Sequence, residues 1–236
     1  MTQHDETLTE TQTRIDLVAA IRLSCREGWH EGVANHFSAT VSADGRKFLV
    51  NPRWVHWSRV KASDLVLCDA DDPSTMERPD APDPSAWSIH SALHRNLPQA
   101  RVALHIHPPY ATALAGLKDP SIKPIDQVTA RFHNRMAYDM NFGGIATEEE
   151  EGERISKAIG EKNVVMMANH GVTSLGDSVA EAWDALYHLE RAARQMVLAY
   201  STGQPLNEMG DNLAEETAAE WETYKDAQFA HFAEMK

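Results

Sequence analysis

Two histidines separated by a single residue offer the clearest chemistry in the sequence. His105 and His107 lie in a run that predicts a strand over 101–107, and residues i and i+2 of a strand point to the same face. Two imidazoles on one face make half a metal site, and a third ligand is needed to hold a divalent ion with one position open. His170 follows the predicted buried strand 164–167 and is the best third candidate, since α/β proteins place their sites at strand ends. The alternative is two packed core histidines and an unrelated turn histidine.

Helix caps and apolar periodicity predict the elements that must position these side chains. Asp83 and Pro84 are a favoured N-cap and first-turn pair, so a helix is predicted from there to about residue 96. Gly171 and Gly176 are predicted to bracket a turn. The other predicted elements are a helix over 10–27, a hairpin of strands 37–42 and 47–51 around Asp44-Gly45, a strand over 64–68, helices over 110–117 and from Ser178 onward, and a last amphipathic helix over about 213–234.

Composition excludes several classes of protein. The chain has 236 residues, and 22 basic against 35 acidic side chains give a net charge of −13. This charge argues against nucleic acid and anionic membranes as partners, because both require a basic face. There is no apolar run of about 18 residues, so no transmembrane helix is expected. The polar, acidic N-terminus does not resemble a signal peptide, and two cysteines cannot form a disulfide framework, so we expect a cytoplasmic protein.

The motifs together resemble the class II aldolase/adducin superfamily. This superfamily includes metal-dependent sugar-phosphate aldolases, a ribulose-phosphate epimerase and the head domain of the cytoskeletal protein adducin. The matching stretches span about residues 10–205. They are EGVANHFS at 31–38, PSAWSIH at 84–90, HIHP at 105–108, ANHGV at 168–172 and YHLERA at 187–192.

The resemblance implies the fold, the metal site and the assembly. It implies one α/β domain over 1–236, with its core at about 10–205, built as a three-layer α/β/α sandwich around a largely antiparallel mixed sheet. It implies a divalent metal held by His105, His107 and His170, and a homotetramer with active sites between neighbouring subunits. Zinc is the default for three imidazoles, while manganese, cobalt and iron remain open. The residues expected to bind a small-molecule substrate are Asn35, Ser85, Asn169 and Gly171.

The sequence departs from the sugar-phosphate aldolases at two points. Those enzymes carry a glutamate that touches the metal and serves as acid and base, whereas this chain has Ala86 there. They also grip phosphate with a Gly-Asn loop and two serines, but here the loop has His36 and one serine position is Pro84. A phosphorylated substrate is therefore not favoured, and the pattern is closer to the adducin-like branch.

Loss of the glutamate bears on the expected reaction. A divalent ion stabilises the enolate formed when a neighbouring carbon–carbon bond breaks, in retro-aldol cleavage and in decarboxylation alike. Aldol addition requires a base that removes a proton from carbon, whereas decarboxylation requires only a later proton donor. His36 and Tyr110 are the expected catalytic residues, with Glu31 as a further candidate. His90 and His94 share one helix face and have a structural role as their simpler explanation.

Three hypotheses for function follow. The first is a metal-dependent carbon–carbon lyase acting on a small hydroxy or oxo acid, by aldol-type cleavage or by decarboxylation. The second is an epimerase or dehydratase that uses the same metal. The third is a non-catalytic, adducin-like assembly module, because fold does not imply function. Retention of all three histidines favours catalysis.

Overall fold

A seven-stranded sheet forms the centre of the part of the chain that the computed structural model describes, residues 10–144 and 149–236. The strands are β1 (His36–Thr40), β2 (Lys47–Val50), β3 (Val66–Asp69), β4 (Val102–Ile106), β5 (Met136–Asp139), β6 (Val164–Met167) and β7 (Val172–Gly176). Their spatial order is β3-β2-β1-β4-β7-β6-β5. Neighbouring strands are antiparallel, except for the parallel pair β5 and β6. The predicted mixed, largely antiparallel sheet is confirmed.

Helices cover both faces of this sheet. They are α1 (Glu10–Arg26), α2 (Pro84–Asn96), α3 (Pro109–Ala115), α4 (Gln127–Ala130), α5 (Glu149–Ile159), α6 (Val179–Ser201), α7 (Asp211–Trp221) and α8 (Lys225–Met235). One apolar core joins α1 and α6 to sheet residues such as Leu104 and Ile106. A second core joins α2 and α5 to the opposite face through Ala103 and Val165. The predicted α/β/α layering is therefore confirmed. None of the helices in the described residues is long and apolar enough to cross a membrane.

Side-chain alternation directs a set of polar residues toward the α2 face of the sheet. In β1, Phe37 belongs to the core beneath α1 and α6, so its neighbours His36 and Ser38 point the other way. The same alternation in β4 directs His105 toward α2. His36 and His105 are opposite each other in the antiparallel register of β1 and β4. The sheet thus brings together two histidines that are far apart in the sequence.

The C-terminal helix predicted over about 213–234 is wrong in one respect, since the segment forms two helices, α7 and α8. The Trp221 indole at the end of α7 donates to the Gln127 carbonyl oxygen at 2.9 Å. Phe232 of α8 packs instead against Trp183 of α6, with ring centroids 5.9 Å apart. Because the two halves dock onto different elements, the chain turns between them.

The turn predicted between Gly171 and Gly176 is also wrong, because the residues between them form strand β7. This short strand is buried along its whole length, so it lacks the alternation of a half-exposed strand. A Cβ at Gly176 would lie 2.9 Å from the backbone nitrogen of Ala182, so glycine here permits close packing of α6 rather than a turn. Strand β5 was not predicted.

Candidate metal centre

Three histidines converge where the neighbouring strands β4, β7 and β6 end or begin, on one side of the sheet. His105 lies in β4, His107 follows that strand directly, and His170 lies in the connection from β6 to β7. Each offers a ring nitrogen, and these atoms lie within 4.8 Å of one another. Asn169 adopts φ 56° and donates its backbone N–H to Ala115 O at 2.9 Å, which fixes the turn that presents His170. The structure therefore brings together the three residues predicted as metal ligands.

Hydrogen bonds determine which ring nitrogens face the centre of this group. Nδ1 of His105 lies 3.2 Å from the carbonyl oxygen of Val172, which can only accept, and 3.2 Å from the hydroxyl oxygen of Thr173, which can also accept. A hydrogen on Nδ1 satisfies both contacts, so this tautomer is favoured. Nδ1 of His107 likewise donates to Glu31 Oε2 at 2.5 Å. In neutral rings both Nε2 atoms then carry lone pairs, and they face each other at 3.2 Å. Two facing lone pairs are unfavourable unless a cation lies between them, so this donor set fits a divalent metal.

Burial keeps the imidazoles of His105 and His170 uncharged. Desolvation holds the pKa of His105 well below its ordinary value, with further lowering from neighbouring histidines. Burial, followed by the proximity of His107, lowers the pKa of His170 to about 4. Only a neutral imidazole offers a lone pair to a metal, so this environment favours the ligating form near neutral pH.

Gly171 positions His107. A Cβ at Gly171 would lie 2.7 Å from Ile106 O and would also collide with the His107 ring. The glycine therefore permits the turn after β6 to pack directly against the second histidine. The sequence analysis predicted Gly171 as a substrate-binding residue, whereas the structure gives it a steric reason to be glycine.

Asn35 and Ser85 lie beside the histidine group. The Asn35 amide lies 3.4 Å from Glu31 Oε2, the same oxygen that accepts from His107. Its own Oδ1 is buried and has no hydrogen-bond partner among the described residues. Ser85 Oγ donates to Asp83 Oδ1 at 2.6 Å and lies 3.3 Å from His36 Nε2. Both polar side chains are thus connected to residues that contact the three histidines.

The two predicted catalytic residues have different surroundings. The His36 ring lies 4.8 Å from the His105 ring, between centroids, and is buried. The Tyr110 ring lies beneath the Arg194 guanidinium at 5.6 Å, and its backbone N–H donates to Glu190 at 2.8 Å. The contacts described for Tyr110 therefore join it to α6, whereas those of His36 join it to the histidine group.

The apolar surroundings of Ala86 do not replace the absent glutamate. Its side chain is 1% exposed and belongs to an apolar cluster with Phe48 and Cys68. An acid or base for the site must therefore be another residue. Two predicted candidates lie beside the histidines: Glu31 Oε2 lies 2.5 Å from His107 Nδ1, and the His36 ring lies 4.8 Å from the His105 ring.

A buried hydrogen-bonded network behind His36 was not predicted. His36 Nδ1 lies 2.8 Å from His90 Nε2, and Ser38 Oγ joins His90 Nδ1 to His94 Nε2. Sequence spacing placed His90 and His94 on one helix face, but their link to β1 depends on how α2 packs against the sheet. The shared alternation of His36 and Ser38 in one strand was the available signal.

A second group with possible metal ligands occurs among the described residues, formed by Asp184, His188 and His231. The Arg131 guanidinium lies 2.8 Å from Asp184 Oδ2, and His231 Nδ1 lies 2.8 Å from Oδ1. Although burial raises the pKa of Asp184, the hydrogen bond from His188 and the Arg131 charge outweigh it and lower the pKa overall. An ionised carboxylate with these partners acts as an anchor for α4 and α8 on α6.

Comparison with known proteins identifies the family. The family model for the class II aldolase and adducin N-terminal domain matches residues 15–197. The Caulobacter vibrioides "Putative aldolase class 2 protein" is 34% identical over 195 residues, which cover 83% of this chain and 75% of that protein. An adducin-related protein of Schizosaccharomyces pombe is 27% identical over 241 residues, covering 99% and 72%. The crystal structure of an aldolase II superfamily protein from Pseudomonas syringae matches with a TM-score of 0.82 at 28% identity, covering 95% of this chain and 93% of that one. The chain belongs to the class II aldolase and adducin family.

Proposed function

We propose that the protein is a metal-dependent carbon–carbon lyase that acts on a small hydroxy or oxo acid. One observation carries the proposal: two lone-pair-bearing Nε2 atoms face each other at 3.2 Å, within reach of a third histidine. An ordinary structural core would orient such rings so that a hydrogen lies between them. The name of the Caulobacter relative, "Putative aldolase class 2 protein", is consistent with this chemistry.

His105, His107 and His170 would hold the ion, with zinc as the default metal and manganese, cobalt or iron as alternatives. When bound, a divalent ion supplies Lewis-acid polarisation of a carbonyl or hydroxyl oxygen. The protein orients the ligands: Val172 O holds His105 by its Nδ1, and Glu31 holds His107 in the same way. Partners of this kind fix ring orientation and raise the basicity of the ligating nitrogen.

His36 would transfer a proton to or from the substrate. Its ring is buried beside His105, and its Nε2 is directed toward Ser85, which Asp83 holds in place. Asn35 would bind a donor group of the substrate through Oδ1, the buried acceptor that lacks a partner among the described residues. A buried acceptor without a partner is costly, so a ligand that supplies a hydrogen bond there gains affinity.

The apolar surroundings of Ala86 bear on the reaction type. Without a carboxylate at this position, the protein lacks the glutamate that serves as acid and base in the sugar-phosphate aldolases. Abstraction of a proton from carbon is therefore not favoured. Decarboxylation, or cleavage of a substrate that ionises through a hydroxyl group, does not require a base that removes a proton from carbon and is favoured.

We further propose a cytoplasmic homotetramer in which neighbouring subunits complete the active sites. An epimerase or dehydratase would use the same three histidines.

A non-catalytic assembly module is the second candidate. Similarity to the adducin-related protein of Schizosaccharomyces pombe over nearly the whole chain favours it, as does the absence of the glutamate at Ala86. Such a module would have no need for the two facing Nε2 atoms. Metal binding therefore separates the two candidates.

The test is the metal content of tag-free protein, measured by plasma mass spectrometry after exposure to zinc or manganese and buffer exchange. The wild type should hold about one equivalent per chain, as expected for one three-histidine site. The double variant His105→Ala/His107→Ala should hold none. Hydroxy and oxo acids are then screened for turnover with the metal-loaded wild type.

The second group of ligand-type residues provides a matched control. His188→Ala/His231→Ala removes two imidazoles from the Asp184 group and should keep the full metal equivalent. A folded wild type that takes up neither zinc nor manganese would contradict the lyase proposal and favour the assembly module. Loss of metal in both double variants would contradict the assignment of the ligands.

A further inference from the structure

We propose that His94, Ser38 and His90 form a hydrogen-bond chain of fixed direction that keeps the ring hydrogen of His36 on Nδ1 and leaves Nε2 as an acceptor for a substrate hydroxyl group. His94, Ser38 and His90 are positioning residues, since they act through His36. The role of the hydroxyl rests on the proposed function, whereas the placement of the hydrogen does not.

The far end of the chain sets the direction. Nδ1 of His94 lies 2.7 Å from the backbone oxygen of Ala100, and a carbonyl oxygen can only accept. The hydrogen of His94 must therefore lie on Nδ1. Burial lowers the pKa of His94 to about 4, so near neutral pH the ring is uncharged and its Nε2 has a lone pair.

Ser38 transmits this direction to the next histidine. Its Oγ lies 2.7 Å from His94 Nε2, which needs a donor, so the single hydroxyl hydrogen points there. The same Oγ also contacts Nδ1 of His90 and now has only lone pairs to offer. His90 must then donate from Nδ1, and its Nε2 is left as an acceptor. Ser38 and His90 are both completely buried, so bulk water does not offer either group another partner.

His36 completes the chain. Its Nδ1 lies 2.8 Å from Nε2 of His90, which needs a donor, so the His36 hydrogen lies on Nδ1. Nε2 of His36 faces Ser85 Oγ at 3.3 Å, but the Ser85 hydroxyl donates to the Asp83 carboxylate at 2.6 Å. The shorter bond to a charged acceptor is the stronger one. Two acceptors, His36 Nε2 and Ser85 Oγ, therefore lie next to each other without a hydrogen between them.

The opposite direction is strongly disfavoured. If Nε2 of His36 carried the hydrogen, each bond in the chain would reverse, and Ser38 would donate to His90. Nε2 of His94 would then need its own hydrogen, in addition to the one that Ala100 O requires on Nδ1. A cationic, buried His94 would result, and the Arg101 charge further opposes it. The chain thus orients His36 and does not provide an exit path for a proton.

This arrangement narrows the substrate class. A hydroxyl group beside His36 can donate to Nε2, whereas a carbonyl or carboxylate oxygen at that point would face two acceptors. Repulsion between unpaired acceptors discriminates strongly between ligands with and without a donor. A hydroxy acid is therefore favoured over an oxo acid, with its hydroxyl hydrogen directed at His36.

The test is the tautomer of each ring in full-length, metal-free protein labelled with ¹⁵N-histidine and measured by NMR at pH 7.5. Protonated and lone-pair imidazole nitrogens have well-separated ¹⁵N shifts, and His36→Gln identifies the His36 signals. His36, His90 and His94 should each carry hydrogen on Nδ1 alone. A hydrogen on Nε2 of His36 in the wild type would overturn the proposal, whatever the variants do.

Two serine variants test the chain itself. Ser38→Ala removes the central link and should allow the Nε2–H form of His36 to appear, while Ser38→Thr, which retains the hydroxyl, should restore the wild-type spectrum. Ser91→Ala is the matched control, because Ser91 is buried on α2 beside His90, and within the described residues its hydroxyl group donates to Trp87 O at 2.6 Å and not to the chain. An unchanged His36 tautomer in folded Ser38→Ala would contradict the chain. Because the measurement uses metal-free protein, failure of metal binding would overturn the lyase proposal without affecting this result.

Discussion

Two groups of side chains in this protein contain similar ligand-type residues, but their hydrogen bonds run in opposite directions. His105, His107 and His170 form one group, and Asp184, His188 and His231 form the other; in each, the ligand-type atoms lie within 4.8 Å of one another. In the first group, the hydrogen bonds that His105 and His107 make through Nδ1 point away from the other rings. In the second, they point inward to the carboxylate.

The direction of the hydrogen bonds distinguishes the candidate metal centre from a structural anchor. Val172 O and Glu31 draw the ring hydrogens away from the first group, so lone pairs are left facing its middle. Nδ1 of His231 and the Arg131 guanidinium both approach Asp184 within 2.8 Å and already balance its charge. Distance alone would rate the two groups alike, whereas donor and acceptor roles favour a metal only in the first.

The largest expected effect comes from Asp184→Asn. Arg131 is 9% exposed, so removal of its counter-charge leaves a buried cation without an anion. The free energy of unfolding should fall by about 3–5 kcal/mol, as for other broken buried ion pairs. Urea unfolding monitored by circular dichroism measures this, and metal content should stay at the wild-type level.

Asp71→Asn is the control for this variant. Asp71 pairs with Arg46 at 3.5 Å, and its side chain is 58% exposed. The same chemical change there should alter stability by less than about 1 kcal/mol. Loss of bound metal in Asp184→Asn would break the comparison, because the second group would then support the first.

A smaller effect is expected from Glu31→Gln. The change weakens the acceptor that holds Nδ1 of His107, and the loss of such a partner typically costs about 10–100-fold in metal affinity, or about 1.4–2.7 kcal/mol. Zinc affinity is measured by competition with a chelator. The Glu31 side chain is 51% exposed, so the stability of the metal-free protein should hardly change. Glu27→Gln is the matched control, and equal zinc affinity in both variants would show that hydrogen-bond direction at His107 does not matter.

Local sequence patterns predicted many of the helices and strands that position the site. The Asp83 side chain accepts from Ser85 N at the start of α2, and Ser178 accepts from Glu181 N at the start of α6, as their spacing predicts. These hydrogen bonds span two or three residues, so sequence alone specifies them. Proximity of His105 and His107 is predictable for the same reason.

Contacts between residues that are far apart in the sequence could not be predicted from local sequence patterns. Glu31 and His107 are 76 residues apart, and their contact requires the register of β1 against β4. The chain behind His36 likewise requires α2 to pack on β1. His170 was predicted from its position after a strand. Gly171 and Gly176 were misread as bracketing a turn, because close packing and tight turns both select glycine.

The smallest expected effect compares His94, in the chain behind His36, with the Asp184 carboxylate by their response to acid. The pKa of His94 in the native state is about 4, lowered by burial from an ordinary value of 6.5. Between these values the unfolded chain binds more protons than the native one, so the free energy of unfolding falls as the pH drops through this window. His94→Gln keeps one donor and one acceptor group but binds no proton. Metal-free His94→Gln should be less stable than the wild type at pH 7.5, because it loses the packing of the ring against Phe48. Its further loss on acidification to pH 5.5 should be smaller by about 1 kcal/mol, the share of one such histidine. The Asp184 carboxylate, with its lowered pKa, stays ionised throughout this range. Equal pH slopes for the two proteins in urea titrations would show that His94 is not held neutral, and the direction assigned to the chain behind His36 would lose its foundation.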